Sequence, residues 1–109
     1  MKPVRIKRHK LHIEETIATI LCESRYIQVA EREVRRRRRE LKAFILKHPR
    51  FKETLQPFVP PQGSPGIVQK MAAAGARMGL GPMSAVAGTI ADYAVKAMLR
   101  AGASYAVFD

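Results

Sequence analysis

Tryptophan is missing from this chain, aromatic residues make up only 6%, and cysteine occurs once, as Cys22. Each shortage excludes something. With so few rings, the core has to be filled by Ile, Leu, Val, Ala and Met. A lone cysteine rules out an internal disulfide and any zinc site built on paired cysteines, and it fits a reducing compartment. No apolar run reaches the roughly 18 residues needed to span a bilayer. The first residues, Met1-Lys2-Pro3-Val4-Arg5-Ile6-Lys7-Arg8, are charged with no apolar stretch behind them, which is not the pattern of a signal peptide. The expectation is a cytoplasmic protein with no membrane partner.

What is present is unevenly distributed. The 109 residues suit one small domain, and 47% hydrophobic content can build a core. The net charge is +11. Residues 1–52 hold 16 Lys/Arg against 6 Glu, and residues 53–109 hold 4 against 3 acids. A basic half joined to a near-neutral apolar half suggests separate tasks, the basic half attracting phosphates or an acidic partner.

The periodicities predict an α+β fold in the order β-β-α-α-α-β. Residues 3–10 alternate as an edge-like strand, and 12–21 read as a second strand closing a hairpin. A long helix is expected over 24–48, capped by Ser24 and stopped by Pro49. Five of the seven prolines fall within 49–66, which reads as a Pro-rich internal loop. Ser64-Pro65 suggests a cap with proline in the first helical position, opening a helix over 65–78 that ends at Gly79. A third helix spans 83–101 and stops at Gly102. Residues 103–108 read as a buried strand.

Candidate chemistry is sparse. Five consecutive arginines, Arg35 to Arg39, point all round a helix axis at about 100° per residue. The core stripe Ile27, Ala30, Val34, Leu41, Ile45 requires Arg37 or Arg38 to cross the buried face, with its stem laid over the core or its guanidinium aimed into a site. The helix offers Glu31–Arg35 at the spacing of an ion pair. A basic interaction module binding nucleic acid or an acidic partner through Arg35–Arg39 is one functional reading. Neither a recognition fold nor aromatic platforms accompany it, so nucleic acid is the less expected partner. His9, His12 and His48 show no ligand-pair spacing and read as surface residues, so no metal site is assigned. Cys22 reads as a small buried hydrophobe. No catalytic residue is assigned.

The richer segment is Gly79 to Asp92. Two glycines and Pro82 lead into a helix start, where free amides suit a phosphate or other anion. Ser84, Ala87 or Gly88, and Ala91 then place small residues along adjacent faces, with Asp92 one turn beyond Gly88. Such a face admits a flat ligand, or equally a neighbouring backbone. The candidate binding residues are Gly81, Pro82, Ser84, Gly88 and Asp92.

Gly81-Pro82-Met83-Ser84-Ala85-Val86-Ala87-Gly88, Asp92, Ala101-Gly102-Ala103 and Ala106-Val107-Phe108-Asp109 resemble an uncharacterised prokaryotic family related to ApbE. The resemblance covers nearly the whole chain, including His48-Pro49-Arg50-Phe51 with Leu55 and Pro57, and the basic helix from Arg36 to Glu40. To ApbE itself, it covers about residues 80–109. ApbE proteins are flavin transferases that move FMN from FAD onto a protein threonine, using magnesium. Their G-x-x-K-G-x-x-x-D pattern places its second glycine on Gly88, its aspartate on Asp92 and its lysine on Ala87. The resemblance therefore implies a flavin nucleotide or similar phosphate ligand. It puts the magnesium ligands downstream of Asp109, in the full-length family. It implies a partial ApbE-like domain over 1–109, truncated after its first half and completed by a C-terminal half or a second copy. Members of the family also look linked to sulfur assimilation, including homocysteine formation.

Overall fold

A computed structural model describes residues 4–109. Two β-strands come first, β1 (Lys7–Ile13) and β2 (Thr16–Cys22), paired antiparallel across a tight turn at Glu14-Glu15. Glu14 takes a left-handed φ of 51° to make that turn. After a 3-10 turn at Ser24–Tyr26 come α1 (Ile27–Lys47), the single helical turn α2 (Arg50–Glu53) and α3 (Gly66–Arg77). A second 3-10 turn, Pro82–Ala85, leads into α4 (Val86–Arg100), and β3 (Ala106–Phe108) closes the order. The fold is α+β, as the sequence predicts. The hairpin strands are shifted from the expected 3–10 and 12–21 to Lys7–Ile13 and Thr16–Cys22, because the turn falls at Glu14-Glu15, and residue 3 of the first expected span lies outside the described residues.

The chain forms two compact units. One takes the described residues up to Arg36 together with Ala91–Asp109; the other takes Arg37–Ile90. In the first unit, the sheet has the order β1-β2-β3, all antiparallel. His9, Ile20 and Phe108 share one cross-strand row, and Lys7, Cys22 and Ala106 share another. The alternation is strict where it matters: Leu11, Ile13, Ala18, Ile20 and Cys22 are buried, while Arg8, Lys10, His12 and Ile17 face water. Tyr26, Ala30, Val34, Tyr93, Ala94 and Met98 are also buried in this unit.

The second unit is centred on aromatic and aliphatic side chains. Phe51 is fully buried, with Phe44 and Phe58 set edge-on to it at 5.2 Å between ring centroids, and His48 stacks on Phe44 at 4.4 Å. Ile67, Val68 and Met71 on α3 are fully buried as well. Helix α3 ends in a Schellman motif. Gly79 sits at φ 69°, its N–H donates to the Ala76 carbonyl, and the Leu80 N–H donates to the Gly75 carbonyl.

Three local expectations need correction. Ser24 does not cap α1. It is the first residue of the 3-10 turn, and Glu23 occupies the cap position with no side-chain bond to the helix. Ser64 does not cap α3 either; Pro65 sits there, and the Ser64 hydroxyl donates to the Pro61 carbonyl at 2.6 Å. A serine next to a proline-rich turn finds a nearer carbonyl acceptor than the helix amides can offer as donors. The strand expected to be buried over 103–108 is shorter and half-buried: Ala106–Phe108 form it along one edge of the sheet, and Asp109 continues the pairing through two backbone bonds to Thr19.

Candidate functional site

The segment from Gly79 to Asp92 is positioned by backbone packed on backbone. The Gly81 N–H donates to the Leu55 carbonyl at 3.0 Å. A Cβ on Gly81 would strike the Thr54 carbonyl oxygen, and one on Gly75 would come within 2.7 Å of the Gly81 carbonyl oxygen. Glycine at 75 and 81 is thus required for α3, the Leu80-Gly81 turn and the Thr54-Leu55 stretch to come together. Pro82 is buried and starts the 3-10 turn.

Few amides are left free at this helix start. Gly81 spends its N–H on Leu55, Pro82 has none, and the Ser84 N–H and hydroxyl both donate to the Gly81 carbonyl, the hydroxyl at 2.7 Å. Met83 keeps an amide with no acceptor among the described residues.

Past the turn the situation reverses. Ser84, Ala87, Gly88 and Asp92 are exposed, and a Cβ on Gly88 would meet nothing within 4 Å. No packing among the described residues calls for a glycine there. Asp92 pairs with Lys96 one turn on, at 2.9 Å, with both side chains half exposed. Such a pair is held loosely against solvent. The five candidate residues therefore lie on one continuous stretch of chain, with Gly81 and Pro82 buried at its start and Ser84, Gly88 and Asp92 open along it.

The other candidates fall elsewhere. Cys22 is a free, fully buried thiol, and burial followed by the nearby Glu23 charge pushes its pKa up. That is the opposite of what a nucleophile needs. Glu23 accepts from the Ser104 hydroxyl at 3.1 Å and approaches Arg25 at 3.5 Å, tying the hairpin exit to the residues before β3. Of the histidines, only His12 is exposed; His9 and His48 are half-buried, and the His9 Nε2 is buried without a hydrogen-bond partner among the described residues. No group of three His, Cys, Asp or Glu converges among the described residues.

Sequence reasoning missed the ties from Thr54 and Leu55 to Gly81, because they join positions far apart in the chain. The pattern His48-Pro49-Arg50-Phe51 with Leu55 was a signal for them, but its meaning is packing. Phe51 is core, His48 is a stacking partner, and the Leu55 carbonyl anchors the glycine turn. A shallow groove of about 410 Å³ lies between Phe58–Gly63 and the Gln69, Ala72, Ala73 and Ala76 side of α3; it shares no lining residue with the Gly81–Asp92 stretch.

An α+β chain with a three-stranded antiparallel sheet and a helix start bared on one side is the class these features define. The chain belongs to the family described as AbpE bacteria, whose model matches residues 2–108. It is 46% identical over 111 residues to a UPF0280 protein of Methanosarcina acetivorans, covering 99% of this chain and 44% of that one. A UPF0280 protein of Methanocella arvoryzae is 47% identical over 103 residues, covering 94% of this chain and 42% of that one. One from Archaeoglobus fulgidus is 40% identical over 105 residues, covering 95% and 44%. The chain spans less than half the length of these relatives. No helix among the described residues is long and apolar enough to cross a membrane.

Proposed function

We propose that this chain binds a nucleotide or flavin-like phosphate compound along the Gly81–Asp92 turn and helix start. The observation that carries the reading is Gly88. It is the third residue of α4 and faces open space, and glycine in a helix is less favourable than alanine, by up to about 1 kcal/mol in an interior. Gly75 and Gly81 are explained by their neighbours; Gly88 is explained by something that lies against the helix from outside. The resemblance of this stretch to ApbE supplies the ligand class.

The roles follow from the groups present. The Met83 amide and the Ser84 hydroxyl, swung off the Gly81 carbonyl, are donors for an anionic oxygen. Gly88 lets a flat ring approach the helix. Asp92, released from Lys96, accepts from ligand hydroxyls. Ala87 stands where the flavin transferases have lysine and brings no charge, which favours binding over group transfer.

The test is a thermal-shift series on the purified chain with FAD, FMN and adenine nucleotides. A ligand present at 100 times its Kd stabilises by about 2.7 kcal/mol, a rise in Tm of about 10 °C or more for a domain this small. Gly88→Ala should raise the unliganded Tm through its helix propensity and abolish the ligand-induced rise. No shift with any of these compounds at millimolar concentration would sink the proposal.

A further inference from the structure

The arginine run resolves into two sets once α1 is seen. Arg37 turns inward, its side chain 13% exposed and bound to Glu40 at 3.1 Å. Arg38 is half-buried and also engaged. Arg35, Arg36 and Arg39 are exposed, and Arg32 joins them one turn earlier. At about 100° per residue these four fall within roughly 100° of arc, opposite the buried Ala30, Val34, Leu41 and Phe44. None of the four makes an ion pair with another described residue, and the Glu31–Arg35 pair that the spacing offers is not formed.

A solvated helix face ordinarily interleaves both signs. This one has only cations at its centre, and Arg32–Arg35, Arg32–Arg36, Arg35–Arg39 and Arg36–Arg39 are like-charged neighbours at the i,i+3 and i,i+4 spacings, where like charges destabilise a free helix. An array of negative charge laid along it removes that repulsion. Guanidinium groups fit phosphate oxygens with paired hydrogen bonds.

The arrangement selects among polyanions. An acidic protein would need an apolar or aromatic anchor at the centre of its contact; the large exposed apolar residue on this arc, Leu46, lies two turns beyond Arg39, at the end of the face rather than its centre. A membrane-surface helix needs an apolar face free to enter lipid, but the apolar face of α1 is buried in the core. A single strand is held by stacking on aromatic platforms, and the exposed face of α1 carries none. Duplex backbone binding requires only cations in register.

We propose that the exposed face of α1, through Arg32, Arg35, Arg36 and Arg39, binds the phosphate backbone of double-stranded nucleic acid without sequence preference. The surface shares no residue with the Gly81–Asp92 stretch, and the overall +11 charge assists approach of the duplex.

Fluorescence anisotropy of the whole chain with a labelled 20-base-pair duplex tests this. Four phosphates neutralised predict a log–log salt slope of about −3.6, so affinity should fall by about two orders of magnitude between 50 and 200 mM salt. Arg36→Glu with Arg39→Glu should cost at least tenfold in affinity and flatten the slope by about two. Lys52→Glu with Arg77→Glu makes the same change in net charge away from α1 and should leave the slope near its original value. Arg36→Gln with Arg39→Gln replaces the first pair if circular dichroism finds it misfolded. Equal weakening by the two charge-matched pairs, or a wild-type slope shallower than about −1, would overturn the proposal. Competition by polyglutamate as effective as duplex, charge for charge, would also overturn it and assign the face to an acidic protein.

Discussion

A methyl group on Gly81 would collide with the Thr54 carbonyl oxygen, which cannot retreat without losing the Leu55 bond beside it. Gly81→Ala is therefore expected to lower stability by about 1–3 kcal/mol, the range for overpacking, and a urea denaturation midpoint will register it. Cys22 supplies a second test at this scale. Its pKa is raised by burial and by Glu23, so the folded state keeps the thiol proton where the unfolded state has released it. The sign follows from linkage: the thiol's contribution is intact below the ordinary value of about 8.5. It is lost progressively as pH rises past that value and through the raised folded one. Tm measured between pH 8 and 10 should fall more steeply for the wild type than for Cys22→Ala. Parallel slopes would contradict the burial argument.

Among the elements, the turn α2 and the stretch after it divide their contributions between side chain and backbone. Phe51 sits at the centre of the ring cluster, so Phe51→Ala should cost about 3–5 kcal/mol. Leu55→Ala should stay within about 0.5 kcal/mol, because that side chain is 82% exposed and only its carbonyl is used. Equal losses in the two variants, read by chemical denaturation, would reverse this division. The elements differ in how plainly the sequence announces them. Helix α1 is legible because Ala30, Val34, Leu41 and Phe44 recur at helical spacing and Pro49 follows. The hairpin is legible as two strands but not in its turn: Ile13 ends the first strand and Glu14-Glu15 make the turn, whereas the spans 3–10 and 12–21 put His12 to Glu15 in the second strand. Helix α2 is not: four residues hold too little pattern to stand out from a proline-rich stretch. The cap positions mislead because a serine has several carbonyls within reach, and the local winner depends on turn geometry.

At the scale of the whole molecule, charge is as much a structural fact as hydrophobicity. The excess of cations in residues 1–52 was visible at once, but not its arrangement: consecutive arginines are ambiguous until the core claims Arg37 and Arg38 and leaves Arg32, Arg35, Arg36 and Arg39 outside. The candidate ligand stretch was legible as a segment for a similar reason and ambiguous in its parts. Small residues along a helix read the same whether they face backbone or water. Only the contacts of Gly75 and Gly81, set against the emptiness beside Gly88, separate the two uses.

One further consequence belongs to β1, the strand at one edge of the sheet. An edge strand invites a second copy to zip onto its open amides and carbonyls. Here the strand reads Lys7-Arg8-His9-Lys10-Leu11-His12-Ile13. Two copies brought edge to edge would set lysine and arginine against their own kind. The basic residues on this strand thus oppose such pairing by like-charge repulsion.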